Sequence, residues 1–254
     1  MRILFILIVV LTTSLFAKNN SIAHIAEATS ASQCYFVPPP EWEIADPSTL
    51  SPAVKISFLK NSGKGFCPSI NLAIEETDVS LSDYLKAVKT IHEQDRKNQW
   101  RALGKVRTSA GMAQLTEIDS TTEWGPVRIL QLILIKDKHA YVLTAAALKE
   151  EMSNYYKEVQ AAFRSLTISY DLLQNIPQQE RREMLNAKQE ALLAAASSEK
   201  LFFEDPVFIE KNVIPFQKTV IDNFTDMGAF WQILVLRNVH EKLHTLQETH
   251  EKTD

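Results

Sequence analysis

The run Ile129-Leu130-Gln131-Leu132-Ile133-Leu134-Ile135 limits the fold more than any other stretch of this 254-residue chain. It is apolar on both faces, so as a strand it must be covered on two sides. Its neighbours, 115–121 and 141–147, also read as strands, and the links Glu123-Trp124-Gly125-Pro126 and Lys136-Asp137-Lys138-His139 are short. A parallel crossover needs about a dozen residues or more, so the three strands form an antiparallel meander.

The flanking stretches fit the same class. From Val54 the chain alternates through Ile56 and Phe58, turns at Asn61-Ser62-Gly63-Lys64-Gly65 and alternates again through Ile70, Leu72 and Ile74, the pattern of a hairpin. Ser80 offers a helix N-cap with Asp83 three residues on, and Leu81, Tyr84, Leu85, Val88 and Ile91 follow at helical spacing. A second amphipathic helix is expected over 150–165, with Met152, Tyr155, Tyr156, Val159 and Phe163 facing in, and a short strand from Leu166 to Ile168 closes the domain. Pro38 to Pro40 cannot sit in a paired central strand, so a short edge strand ends there and re-emerges at Trp42. The order predicts an α+β fold, an antiparallel sheet sandwiched by helices, over residues 34–170.

What precedes and follows this domain differs in character. Residues 1–17 carry one cation, Arg2, an apolar run from Ile3 to Leu11 and a small-residue end, which reads as a signal peptide. The run is too short for a comfortable membrane span of about 20 residues, and none is expected later. Residues 18–33 read as a polar, flexible leader. The chain is therefore expected to be exported, to a periplasm or to the outside of the cell. In such a compartment Cys34 and Cys67 read as a disulfide, with two buried thiols as the alternative. Residues 171–254 form an acidic helical extension with fourteen acids against nine bases. Its first stretch, 178–200, places Met184, Leu192 and Ala195 as apolar positions. Its second sets Ile209, Val213, Phe216, Val220, Phe224, Met227, Trp231 and Leu234 at spacings of four and three, with Pro215 and Gly228 breaking the rod. Such a seam wants a partner surface, and Phe216, Val220, Phe224 and Trp231 are the expected contacts, with a protein partner, with the chain's own domain or with a second copy of the chain.

Residues 35–168 resemble the PsbP/DcrB-like fold family of exported bacterial proteins, a photosystem accessory subunit and a nuclear import factor. The stretches that carry the resemblance are Phe36-Val37-Pro38 with Trp42, Ile70-Asn71-Leu72, Gly111 with Gln114-Leu115, Tyr141-Val142-Leu143-Thr144 and Phe163-Arg164-Ser165-Leu166. The resemblance implies an accessory role in binding or assembly and brings no catalytic constellation with it.

Few residues suggest chemistry. His240-Glu241-Lys242-Leu243-His244 has the spacing in which His240 and His244 bind zinc and Glu241 activates water, the pattern of a zinc-dependent hydrolase. Against that reading, Lys242 sits on the ligand-bearing turn, and a continuous helix points His250 about 80° away from His240. The apolar stripe Val235, Val239, Leu243 and Leu246 instead makes this a helix end with solvated flanks. Six glycines form no phosphate-cradling loop, so no cofactor is expected. A net charge of −4 excludes electrostatic capture of nucleic acid. Trp124, beside Gly125-Pro126 at a hairpin tip, is the expected aromatic anchor for a protein partner.

Overall fold

A computed structural model describes residues 33–61, 65–198 and 205–251. The signal peptide, all of the leader but Gln33 and the middle of the Asn61–Gly65 turn lie outside the described residues. The described chain divides into two units, residues 38–166 and residues 33–37 with 167–251.

The first unit is built on a seven-stranded antiparallel sheet ordered β2-β3-β4-β8-β7-β6-β5. Its strands are β2 (Glu43–Ile44), β3 (Val54–Leu59), β4 (Ser69–Glu76), β5 (Gln99–Thr108), β6 (Gly111–Thr122), β7 (Gly125–Lys136) and β8 (His139–Leu148). The apolar run 129–135 falls in β7, between β8 and β6, as its two-sided hydrophobicity requires. Alternate residues of a strand point to opposite faces. Ile129 and Ile133 on one face and Leu130 and Leu132 on the other are all buried.

Helix α1 (Leu81–Gln94) follows β4. Ser80 caps it: its Oγ accepts from the Asp83 N–H at 3.2 Å and donates to Asp83 Oδ2 at 2.7 Å. The turns of α1 bury Tyr84, Val88 and His92, and the first two pack with Ala73, Ile133, Ala140 and Val142 of the sheet. Helix α2 (Met152–Arg164) buries Met152, Val159, Ala162 and Phe163 and contacts β8 and β5. The seam is turned toward Tyr155 and Ala162, so Tyr156, expected inside, is 47% exposed. Trp42 closes the other end of α2, meeting Tyr155 edge-on at 5.9 Å and donating through Nε1 to Glu158 at 3.2 Å.

The second unit starts with a ladder that the sequence assigned to the sheet domain. β1 (Gln33–Tyr35) pairs antiparallel with β9 (Thr167–Ser169), Cys34 opposite Ile168. These strands form a separate two-stranded sheet, and by its contacts β1 groups with residues 167–251. Helix α3 (Gln179–Ser197) buries Leu185, Gln189, Leu192 and Ala196, at intervals of four, three and four. The buried stripe thus runs one residue past the expected Met184 and Ala195. A helical turn over Pro206–Phe208 passes into a π-helical stretch over Ile209–Val213, and α4 (Ile214–Asn223) and α5 (Ala229–Glu251) follow. Pro215 has no N–H to continue an α ladder, and the wide turn comes directly before it. Gly228 takes φ 83°, the left-handed region open to glycine, between the single turn Thr225–Met227 and α5. The rod is broken where the sequence breaks it.

Candidate functional site

Several expected site residues are spent on packing or lie apart. Phe216, Val220, Phe224 and Trp231 are all buried within the chain, Val220, Phe224 and Trp231 completely. Phe224 and Trp231 stack at 5.5 Å, the Trp231 Nε1 donates to the Leu172 carbonyl at 3.1 Å, and the Arg181 guanidinium lies 4.6 Å over the Phe224 ring. These four side chains are closed inside their own unit. The Cys34–Cys67 bridge is not formed either, and both thiols are free. Cys34 belongs to the β1–β9 ladder of the second unit, whereas Cys67 precedes β4 in the first. Burial pushes the Cys34 thiol up, away from the reactive thiolate.

His240, Glu241 and His244 are exposed on α5, flanking buried Val239 and Leu243. His244 Nδ1 lies 3.2 Å from Glu248, and Glu241 lies 3.5 Å from Arg237. Among the described residues no three His, Cys, Asp or Glu side chains come together as a metal site.

The sheet unit holds two features of another kind. The first is at the β6–β7 hairpin. Trp124 is half-buried, edge-on to Phe66 at 6.2 Å. A Cβ on Gly65 would stand 3.0 Å from its ring, so a side chain there would displace the indole. Trp124 also lines an open cleft of about 300 Å³ with Pro126, Leu148, Lys149 and Glu150. An ion-pair network fixes the Lys149 rim: its Nζ reaches Asp119 Oδ2 at 2.8 Å, and Arg128 clamps the same carboxylate through Nε at 2.8 Å and Nη2 at 2.9 Å. Arg101 pairs with Glu117 and reaches Asp119 at 3.3 Å. The bonds from Arg128 and Lys149 hold the Asp119 carboxyl down to about 2, against the desolvation that opposes them.

The second feature is internal, and only strand register reveals it. Ser57 stands opposite Asn71, Asn71 opposite Thr144, Thr144 opposite Gln131 and Gln131 opposite Thr116. Directly opposed residues share a face, so five polar side chains form one row across β3, β4, β8, β7 and β6. All five are buried. On one side the row is bordered by Ala73, Val142 and Ile133, the apolar cluster under α1; on the other it is bordered by Ile129 and Ile118, with Ala146 packed against them. Trp100 packs against both clusters. Asn71 Oδ1, Gln131 Oε1, Thr144 Oγ1, His92 Nε2 and Trp100 Nε1 are buried with no hydrogen-bond partner among the described residues. Each such atom costs about 1–3 kcal/mol if left dry. Burial lowers the His92 pKa, keeping the imidazole neutral. At the far end of the same face Tyr84 donates to Glu75 Oε2 at 3.1 Å, and burial raises the Glu75 pKa more than that bond lowers it.

The sequence signal for the row was present but mute. Asn71, Gln131 and Thr144 each interrupt an apolar stretch, yet nothing in a single strand says that the three interruptions align.

No family model and no curated protein matches the chain. Among solved structures it is similar to LpqN, involved in cell envelope biogenesis of Mycobacterium tuberculosis, at 12% identity over 58% of this chain and 88% of that one, TM-score 0.43. It is similar to PsbP from the cyanobacterium Synechocystis at 14% identity over 59% and 98%, TM-score 0.40. A third is the Ran-binding protein Mog1p of Saccharomyces cerevisiae, at 18% identity over 51% and 82%, TM-score 0.34. Identities this low concern fold alone; PsbP, the namesake of the family that the sequence resembles, is among the structures the chain is similar to.

Proposed function

We propose that the protein is an exported, non-catalytic accessory that binds a protein partner through the cleft beside Trp124. The observation that carries this reading is the cleft itself. A half-buried tryptophan, edge-on to Phe66, lines it together with apolar Pro126 and Leu148 and charged Lys149 and Glu150. An aromatic anchor within a polar rim is the usual build of an interface hot spot. Export rests on residues 1–17 of the sequence. Among the described residues no helix is long and apolar enough to cross a membrane. With the helical seam buried, the contacts first expected in the tail pass to the sheet unit.

A photoreactive residue at Glu150 tests the reading, with the same residue at exposed Tyr156 as the control. A discrete adduct is expected from position 150 alone, and Trp124→Ala should weaken its formation more than tenfold, as loss of a hot-spot residue does. Equal labelling from both positions would overturn the proposal. An adduct of twice the chain's mass would identify the partner as a second copy.

A further inference from the structure

The polar row across the sheet is independent of the Trp124 cleft. Three atoms of the row and one of α1 ask for a hydrogen bond: Asn71 Oδ1 and Gln131 Oε1 as acceptors, and Thr144 Oγ1 and His92 Nε2 as either donor or acceptor. Each of these residues is at most 8% exposed. The buried indole Nε1 of Trp100 adds a donor. An occupant that satisfies this mixed set must both donate and accept, which hydroxyl groups do.

The occupant must also be uncharged. The row contains no Lys, Arg, Asp or Glu, and the carboxylate on the same face, Glu75, lies two rows away and already accepts from Tyr84. The Glu117 and Asp119 network alternates with Thr116 and Ile118 along β6 and so points to the opposite face. A charged group on the row would be buried without a counter-charge.

Shape narrows the class further. The row is two strand spacings wide between Asn71 and Gln131, roughly 10 Å at about 4.8 Å per spacing. Apolar side chains border it on both sides, and Trp100 is in contact with both borders. Water satisfies polar atoms but leaves such borders facing a poor neighbour. A sugar or cyclic polyol presents hydroxyls at its edge and C–H groups on its faces, and it meets both kinds of wall.

From this juxtaposition we infer that the row Asn71–Thr144–Gln131, with His92 and Trp100, is a binding site for a small neutral sugar or cyclic polyol. Asn71 and Gln131 accept from ligand hydroxyls, Thr144 and His92 each exchange a bond with one, and Trp100 takes a C–H face. The atoms of the row are shut from solvent, so the face that covers them opens when the ligand enters.

Side-chain amide resonances of the full chain test the inference, titrated with glucose, trehalose and myo-inositol, with glucose 6-phosphate as the charged comparator. At least one neutral compound should shift the Asn71 and Gln131 signals saturably, and the phosphate should not. Thr144→Val should weaken that binding about tenfold, equivalent to about 1.4 kcal/mol, while the urea midpoint stays unchanged or rises. The inference is overturned if no neutral compound gives a saturable shift, or if Thr144→Val binds as tightly as the parent. It is equally overturned if the amides show contacts to water that none of the compounds displaces.

Discussion

The indole at the centre of the helical unit and the polar row of the sheet unit differ in how their buried polar atoms are met. In the helical unit the largest buried side chain, Trp231, is fully enclosed, and its one polar atom has a carbonyl to bond. In the sheet unit a face of comparable depth keeps the buried atoms of Asn71, Gln131, Thr144, His92 and Trp100 without partners among the described residues. A buried indole bonded within its own unit serves that unit's stability. A row that leaves its polar atoms open has given up stability, which selection retains where binding needs it. The open atoms lie in the sheet unit, although the more conspicuous sequence pattern lay in the helices.

The comparison is broken most directly at Trp231. Trp231→Ala removes a completely buried indole and its hydrogen bond, and chemical denaturation should show a loss of about 3–5 kcal/mol. A loss well under that range would mean that the seam is not the core of its unit. Next in size is Asp119→Asn, which leaves Arg128 and Lys149 without their shared partner and should cost about 2 kcal/mol at neutral pH. The folded pKa is depressed, so the stabilisation is complete above the unfolded value near 3.8 and is lost as pH falls toward about 2. Denaturation midpoints of parent and variant should therefore converge over that window.

Smaller effects sharpen the contrast. Gln131→Leu and Thr144→Val replace unpartnered atoms with apolar ones, and urea denaturation should show them neutral or stabilising by up to about 1 kcal/mol. The same kind of change at a satisfied polar group would destabilise. His92 should add an acid-side slope. Its folded pKa lies below the unfolded value of 6.5, so the unfolded chain takes up the proton first and stability falls as pH drops below about 6.5. His92→Leu should flatten that slope. Glu75, raised in the fold, acts in the opposite sense above about 4.5, and Glu75→Gln separates the two contributions. Least of all, His240→Ala should leave stability within about 0.5 kcal/mol, because its side chain is exposed on α5. Metal analysis showing stoichiometric zinc in the parent and none in the variant would contradict this picture and revive the hydrolase reading.

Much of the fold was legible in residue order. The period-two alternation around Ile56 and Ile70, the Ser80 cap and the short links of the meander are local signals, and the structure keeps each of them. Tyr156, Met184 and Ala195 were misplaced by one edge of a helix, because spacing defines a face but not how that face is rotated onto its neighbour. The pairing of β1 with β9 was not legible, since a three-residue strand names no partner until the other is beside it.

By itself, then, the chain determined which segments are strands and helices, where Pro215 and Gly228 interrupt them, and that one strand must lie inside a sheet. These depend on near neighbours and on the burial of apolar residues. Tertiary structure alone decided that the helical seam is filled from within, that Cys34 and Cys67 belong to different units, and that Ser57, Asn71, Thr144, Gln131 and Thr116 share one row. The last depends on register across five strands, where a slip of one residue would turn every one of those side chains to the other face.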